Sequence, residues 1–192
     1  STADDDLVSY LLSKHETPET LLRSVRNLIG KPYIETLPVA KSDIKKCQSL
    51  LSEQFEHVKS IWASEQDSVT SILNDKKVLR SKQYRVDWVK NWLFKLEDFL
   101  RQPTIPESVF EQFNRFTPEK LYLGLVDGQV LPDLEFWLAC EALLERQQQL
   151  ILARDLQLQQ LRVSLLEFLR ESLPEQKLKQ QVQSYDDLLI NL

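Results

Sequence analysis

Seven cationic side chains crowd one short stretch of the chain: Lys76, Lys77, Arg80, Lys82, Arg85, Lys90 and Lys95, against the two carboxylates Asp75 and Asp87. Seven positive charges less two negative ones give 75–95 a net +5, so the remainder carries −10 within a chain of net charge −5. A basic segment in an acidic chain has the chemistry of a phosphate-backbone contact, because each neutralised phosphate releases condensed counterions whatever the base sequence. The same charge also suits a solvated loop or a patch that meets an acidic protein.

Other chemistry finds little support. A phosphate-cradling G-x-x-x-x-G-K-[ST] loop is absent, since the only glycines are Gly30, Gly124 and Gly128, and ATP hydrolysis by this chain alone is not expected. The same three glycines leave no dinucleotide-binding turn, and no Ser/His/Asp grouping has a local signature. His15 and His57 lie far apart without a second ligand three or four residues away, which gives zinc no foothold. Cys47 and Cys140 both fall in apolar helical stripes and read as buried thiols. Asp186 and Asp187 are adjacent, so on a helix they point apart; charge at a helix N-terminus explains them better than paired acid–base work.

The elements that must carry these residues are helical. Three glycines in 192 residues are too few for the tight turns of an all-β fold, and 42% hydrophobic with 28% charged residues is ordinary for one globular domain. The expected class is all-α: one elongated domain over 1–192, built on long amphipathic helices. No apolar run approaches the roughly 20 residues that span a bilayer, so no membrane partner is expected. Thr17-Pro18-Glu19 opens a helix that Gly30 closes. From Ser42 a long helix follows, with Ile44, Cys47, Leu51, Phe55, Val58 and Trp62 on one stripe and a continuation through Val69, Ile72 and Leu73. Val86–Leu100 repeats the pattern, and its spacing assigns Trp88 and Trp92 to the core rather than to base stacking. A short helix is expected over Glu107–Phe116. Leu121–Leu131, with Asp127-Gly128 at its centre, fits either a small hairpin on a type I′ turn or a loop. Helical periodicity resumes at Pro132 and continues to Pro174, which is expected to end or kink it.

The last ten residues, Gln183 to Leu192, begin another helix: Ser184 is a suitable N-cap, Asp186 and Asp187 fill the first turn, and Leu188, Leu189 and Leu192 start an apolar face. No stop signal follows, and no methionine occurs anywhere, as expected of a piece of a longer protein. The run Tyr185-Asp186-Asp187-Leu188-Leu189, approached through Glu171-Ser172-Leu173-Pro174-Glu175-Gln176-Lys177, resembles the return from an inserted helical domain to the first motor domain in superfamily-1 helicases of the UvrD and RecB type. Upstream, Trp88-Val89-Lys90-Asn91-Trp92, then Phe113-Asn114-Arg115-Phe116-Thr117-Pro118-Glu119-Lys120-Leu121, then the long helix from Pro132 follow the order of the RecB accessory domain called 1B. Where RecB-like chains more often have phenylalanine, this one has Tyr185.

The resemblance implies a helical arm of a RecB-type beta subunit of exodeoxyribonuclease V, touching duplex DNA ahead of the unwinding junction during recombinational repair. It further implies sequence-independent backbone contact by Lys76, Lys77, Arg80, Lys82, Tyr84, Arg85, Lys90 and Lys95. It places 183–192 at the return into the motor, and it assigns ATP, Mg²⁺, helicase and nuclease chemistry, and partner subunits to a bacterial, cytoplasmic parent, with no cofactor in the chain itself. A competing likeness runs through Leu134-Glu135-Phe136-Trp137-Leu138-Ala139-Cys140-Glu141, which resembles a central helix of regulators of G-protein signalling. That likeness implies a helical protein-interaction module, or a scaffold, with no role in nucleic-acid binding.

Overall fold

The computed structural model describes residues 2–180 except 32, 34, 37–38, 40–42 and 107, and describes side chains from Leu7 to Leu173. Among these residues the protein is all-α: α1 (Thr2–Ser13), α2 (Pro18–Ile29), α3 (Ile44–Asn74), α4 (Val86–Leu100), a 3₁₀ turn at Phe113–Phe116, α5 (Pro118–Gly124) and α6 (Glu135–Gln180). The chain divides into two compact units, one of residues 1–42 with 153–192 and one of residues 43–152, where the sequence suggests a single domain. The helix α6 contributes its first turns to the second unit and the rest to the first.

The 43–152 unit is built on α3 and α4. Asp43 caps α3 by accepting a hydrogen bond from the Lys46 N–H at 3.0 Å. The stripe Leu51, Phe55, Val58, Trp62, Val69 and Leu73 is then buried along 31 residues of helix. Ring contacts tie the unit together: Phe55 of α3 meets Phe99 of α4 edge-on at 5.2 Å, Phe99 meets Phe113 at 5.5 Å, Phe116 meets Phe136 of α6 at 6.2 Å, and Phe136 returns to Trp62 at 5.1 Å. Cys140 is fully buried in this core, and desolvation pushes its thiol well above the ordinary range. Cys47 is only partly buried against the core's edge.

One local expectation is corrected and two are narrowed. Of the expected 107–116 helix, the described residues 108–116 form only the short 3₁₀ turn, with Phe110, Phe113 and Phe116 packed in the aromatic core. Leu121–Leu131 forms no hairpin. Leu121 to Gly124 complete α5, Leu125 makes a lone antiparallel bridge to Leu79, and in the following turn only Gly128 has positive φ (82°), whereas a type I′ turn needs Asp127 there as well. The helix α6 runs on past Pro174 to Gln180, although that proline has no N–H to give the Arg170 carbonyl.

In the other unit, α2 begins at a capping box in which Thr17 and Thr20 exchange side-chain bonds with each other's backbone N–H, at 3.3 and 2.7 Å. Helix α6 is fastened there by polar anchors: Tyr10 donates to Asp155 at 2.6 Å, Arg162 pairs with Glu16, and the Arg170 guanidinium donates to the Leu28 carbonyl in the last turn of α2 and to the Lys31 carbonyl just past it. The left-handed C-cap falls to His15 (φ 55°), not to Gly30 (φ −79°). His15 N–H bonds to the Leu12 carbonyl and Glu16 N–H to the Leu11 carbonyl, a Schellman arrangement that favours glycine at this position. His15→Gly is therefore expected to stabilise this unit by about 0.5–1 kcal/mol, read as a higher urea midpoint at unchanged slope; a lower midpoint would show that the histidine side chain, not its backbone, matters there.

Candidate nucleic-acid interface

The basic stretch is the connection from α3 to α4 together with the first half of α4. Asp75 terminates α3 and folds the chain back: its carboxylate accepts from Lys77 N–H at 2.8 Å, and its carbonyl accepts from Val78 and Leu79 N–H. Leu79 is buried and bridges to Leu125, with Arg80 N–H donating to the Gly124 carbonyl at 2.8 Å and Val126 N–H to the Val78 carbonyl at 2.9 Å. The apolar side chain is thus pinned inward, and its polar neighbours are left facing water.

Lys76, Lys77, Arg80, Lys82, Arg85 and Lys90 are all exposed. Among the described residues, Lys76, Lys77, Lys82, Arg85 and Lys90 have no carboxylate in ion-pairing range; Arg80 pairs with Asp127. Lys95 is half-buried and donates to the Gln112 side chain at 2.9 Å, tying α4 to the loop before the 3₁₀ turn. Six of the seven cations are therefore exposed, while Lys95 is engaged internally.

Tyr84 is misassigned by the sequence. Only 3% exposed, it lies in the core, edge-on to Trp92 at 5.7 Å, with its hydroxyl donating to the Arg115 carbonyl at 3.2 Å. Its ring fills the space over Gly124, where an added Cβ would collide with it. It is a packing residue and offers no surface to a ligand. Desolvation pushes its phenol up to about 12, the nearby Arg115 charge partly offsetting the rise.

The two tryptophans of α4 separate. Trp92 is 6% exposed, with the Arg115 guanidinium 5.4 Å from its ring centre, whereas Trp88, expected in the core, is 44% exposed. Trp88 leans on Trp92 at 6.4 Å on one side and has the Arg85 guanidinium 5.1 Å over its ring. A spacing of four puts both indoles near one face, but Val89, Trp92, Leu96, Phe99 and Leu100 set the buried arc of α4, and Trp88 falls at its margin.

The alternative likeness places its residues differently. Phe136, Trp137 and Cys140 are core, Leu134 is partly buried, Leu138 is exposed, and the Phe136 N–H at the start of α6 is capped by the Glu65 carboxylate of α3 at 3.0 Å. Tyr185, Asp186, Asp187, Leu188 and Leu189 lie outside the described residues. Among the described residues no group of three or more His, Cys, Asp or Glu side chains is placed to hold a metal ion, and no helix is long and apolar enough to cross a membrane. No protein-family model, curated protein or solved structure matches the chain.

The packing of these aromatics has measurable consequences for stability. Trp92→Ala is expected to cost about 3–5 kcal/mol and Trp88→Ala under about 1 kcal/mol in urea denaturation; equal costs would mean that Trp88 is packed after all. The raised Tyr84 phenol contributes stability that is whole below the unfolded value near 10 and is lost as pH rises towards about 12. Tyr84→Phe, compared with the parent at each pH, should remove that part of the alkaline loss between pH 10 and 12 while sacrificing one hydrogen bond at neutral pH.

Proposed function

We propose that the chain is a DNA-binding accessory domain of a RecB-type subunit, an ATP-dependent helicase and exonuclease acting in recombinational repair, and that it contacts duplex DNA ahead of the unwinding junction. The observation that carries this is the row of exposed cations from Lys76 to Lys90, most of them without a carboxylate partner among the described residues, on a chain that is otherwise acidic. Solvated cations with no ion pair to break are available to phosphates, and several in one segment bind a backbone without selecting its sequence. The order of the RecB-like segments along the chain supports the same role.

On this proposal the contact set is Lys76, Lys77, Arg80, Lys82, Arg85 and Lys90. Arg80 joins it only by exchanging Asp127 for a phosphate, and Lys95 and Tyr84 leave it. The motor, with its ATP, Mg²⁺ and nuclease chemistry, belongs to a larger bacterial cytoplasmic parent with its partner subunits, and this chain supplies position and grip.

The test is a salt titration on one labelled blunt duplex. The chain should bind in roughly the 10⁻⁴–10⁻⁶ M range with affinity falling steeply with salt, and glutamate at positions 76, 77 and 82 should flatten the log–log slope by about 0.9 for each phosphate that is no longer neutralised. Helix content should not change, since these side chains are exposed. Equal binding by parent and variant, or none by the parent at low salt, would remove the DNA role and leave the segment as a protein-docking surface.

A further inference from the structure

We propose that Trp88 is a stacking residue for an unpaired nucleotide, so that the preferred ligand is duplex DNA bearing a single-stranded end rather than a fully paired helix. This rests on the DNA-binding proposal above and goes beyond it, because phosphate contact alone gives no such preference.

Four tryptophans occur, and three have a place inside: Trp62, Trp92 and Trp137 are each less than a tenth exposed. Trp88 alone presents a large part of its indole to solvent, at the start of α4 and within the basic segment. Its environment suits a flat aromatic ligand. Trp92 supports one side of the ring from the core, so the indole does not have to be ordered on binding. The Arg85 guanidinium over the ring, itself exposed, is a planar cation held by a modest cation–π attraction. A base that takes that place gains the stacking surface, and Arg85 becomes free for the adjoining phosphate. Lys82, in the connection just before α4, is also exposed and has no ion-pair partner among the described residues, so it adds a further cation on the N-terminal side of the stacking residue in sequence.

The ligand class follows from access. In a paired helix the base faces are covered by their neighbours, so an indole on the outside meets only sugar and phosphate. An overhang or frayed end presents free base faces, and every base offers one, which keeps the contact sequence-tolerant.

The experiment compares the full 192-residue chain with Trp88→Ala and Trp88→Phe on a blunt duplex and on the same duplex carrying a single-stranded thymidine tail. The parent should bind the tailed duplex about tenfold more tightly, and its tryptophan emission should be quenched by that DNA. Trp88→Ala should lose the tail's advantage and keep its blunt-duplex affinity, Trp88→Phe should retain part of the advantage, and neither variant should show the quench; circular dichroism confirms that both are folded. Salt-sensitive binding of both DNAs with no gain from the tail, or a gain that survives Trp88→Ala, overturns the stacking role and leaves the backbone-binding proposal standing. Binding of neither DNA overturns both.

Discussion

The 43–152 unit depends on burying aromatic rings from four separate segments in one connected cluster. Phe55 and Trp62 come from α3, Phe99 from α4, Phe113 and Phe116 from the 3₁₀ turn, and Phe136 and Trp137 from α6. Each ring removes a large apolar area from water, and the edge-to-face contacts fix the angles at which their elements meet. A segment of only four residues, Phe113–Phe116, would not hold a helical shape alone; it does so here because both its phenylalanines are locked into the cluster. The described residues 108–116 thus give up the helix the sequence suggests in return for ring burial.

That burial also decides which face the basic segment shows. Leu79 and Tyr84 are the apolar pegs of the α3–α4 connection, one bridged to Leu125 and the other lodged between Trp92 and Gly124. With both pegs fixed, Lys82 between them and Arg85 just after the second are exposed, as are Lys76, Lys77 and Lys90. Gly124 matters for its lack of a side chain, since the Tyr84 ring occupies the place of a Cβ. The cationic surface is therefore inseparable from the packing beneath it.

The other unit is held by different means. Among the described residues its buried set is small, Tyr10, Leu21, Val25, Ala153, Leu158 and Leu166, and α6 is secured there by polar bonds, from the Tyr10 hydroxyl to Asp155, from Arg162 to Glu16 and from Arg170 to the end of α2. Such bonds are directional and fix register well, but their net contribution is limited by the water each partner gives up. Lys14 adds to the Asp155 anchor, and its own ammonium is held above the ordinary range chiefly by the Tyr10 hydroxyl.

Periodicity alone was enough to define α3 and α4, and the Pro18 start of α2, because stripes at spacings of three and four and a proline at the first turn are properties of the local chain. The charge of 75–95 is equally local, and the absence of a phosphate loop can be read directly from three glycines. What the chain's letters left open was decided by partners distant in sequence. Tyr84 and Trp88 look alike as aromatics beside arginine and lysine, yet the first is buried because Gly124, forty residues on, leaves room for its ring, and the second is exposed because the buried arc of α4 ends just short of it. Lys95 is drawn inward by Gln112, and Leu125 is paired with Leu79 rather than with a hairpin partner. Sequence determines which side chains are polar and how they repeat along a helix; which of them reach solvent is set by where the other segments pack, and that is a property of the tertiary structure alone.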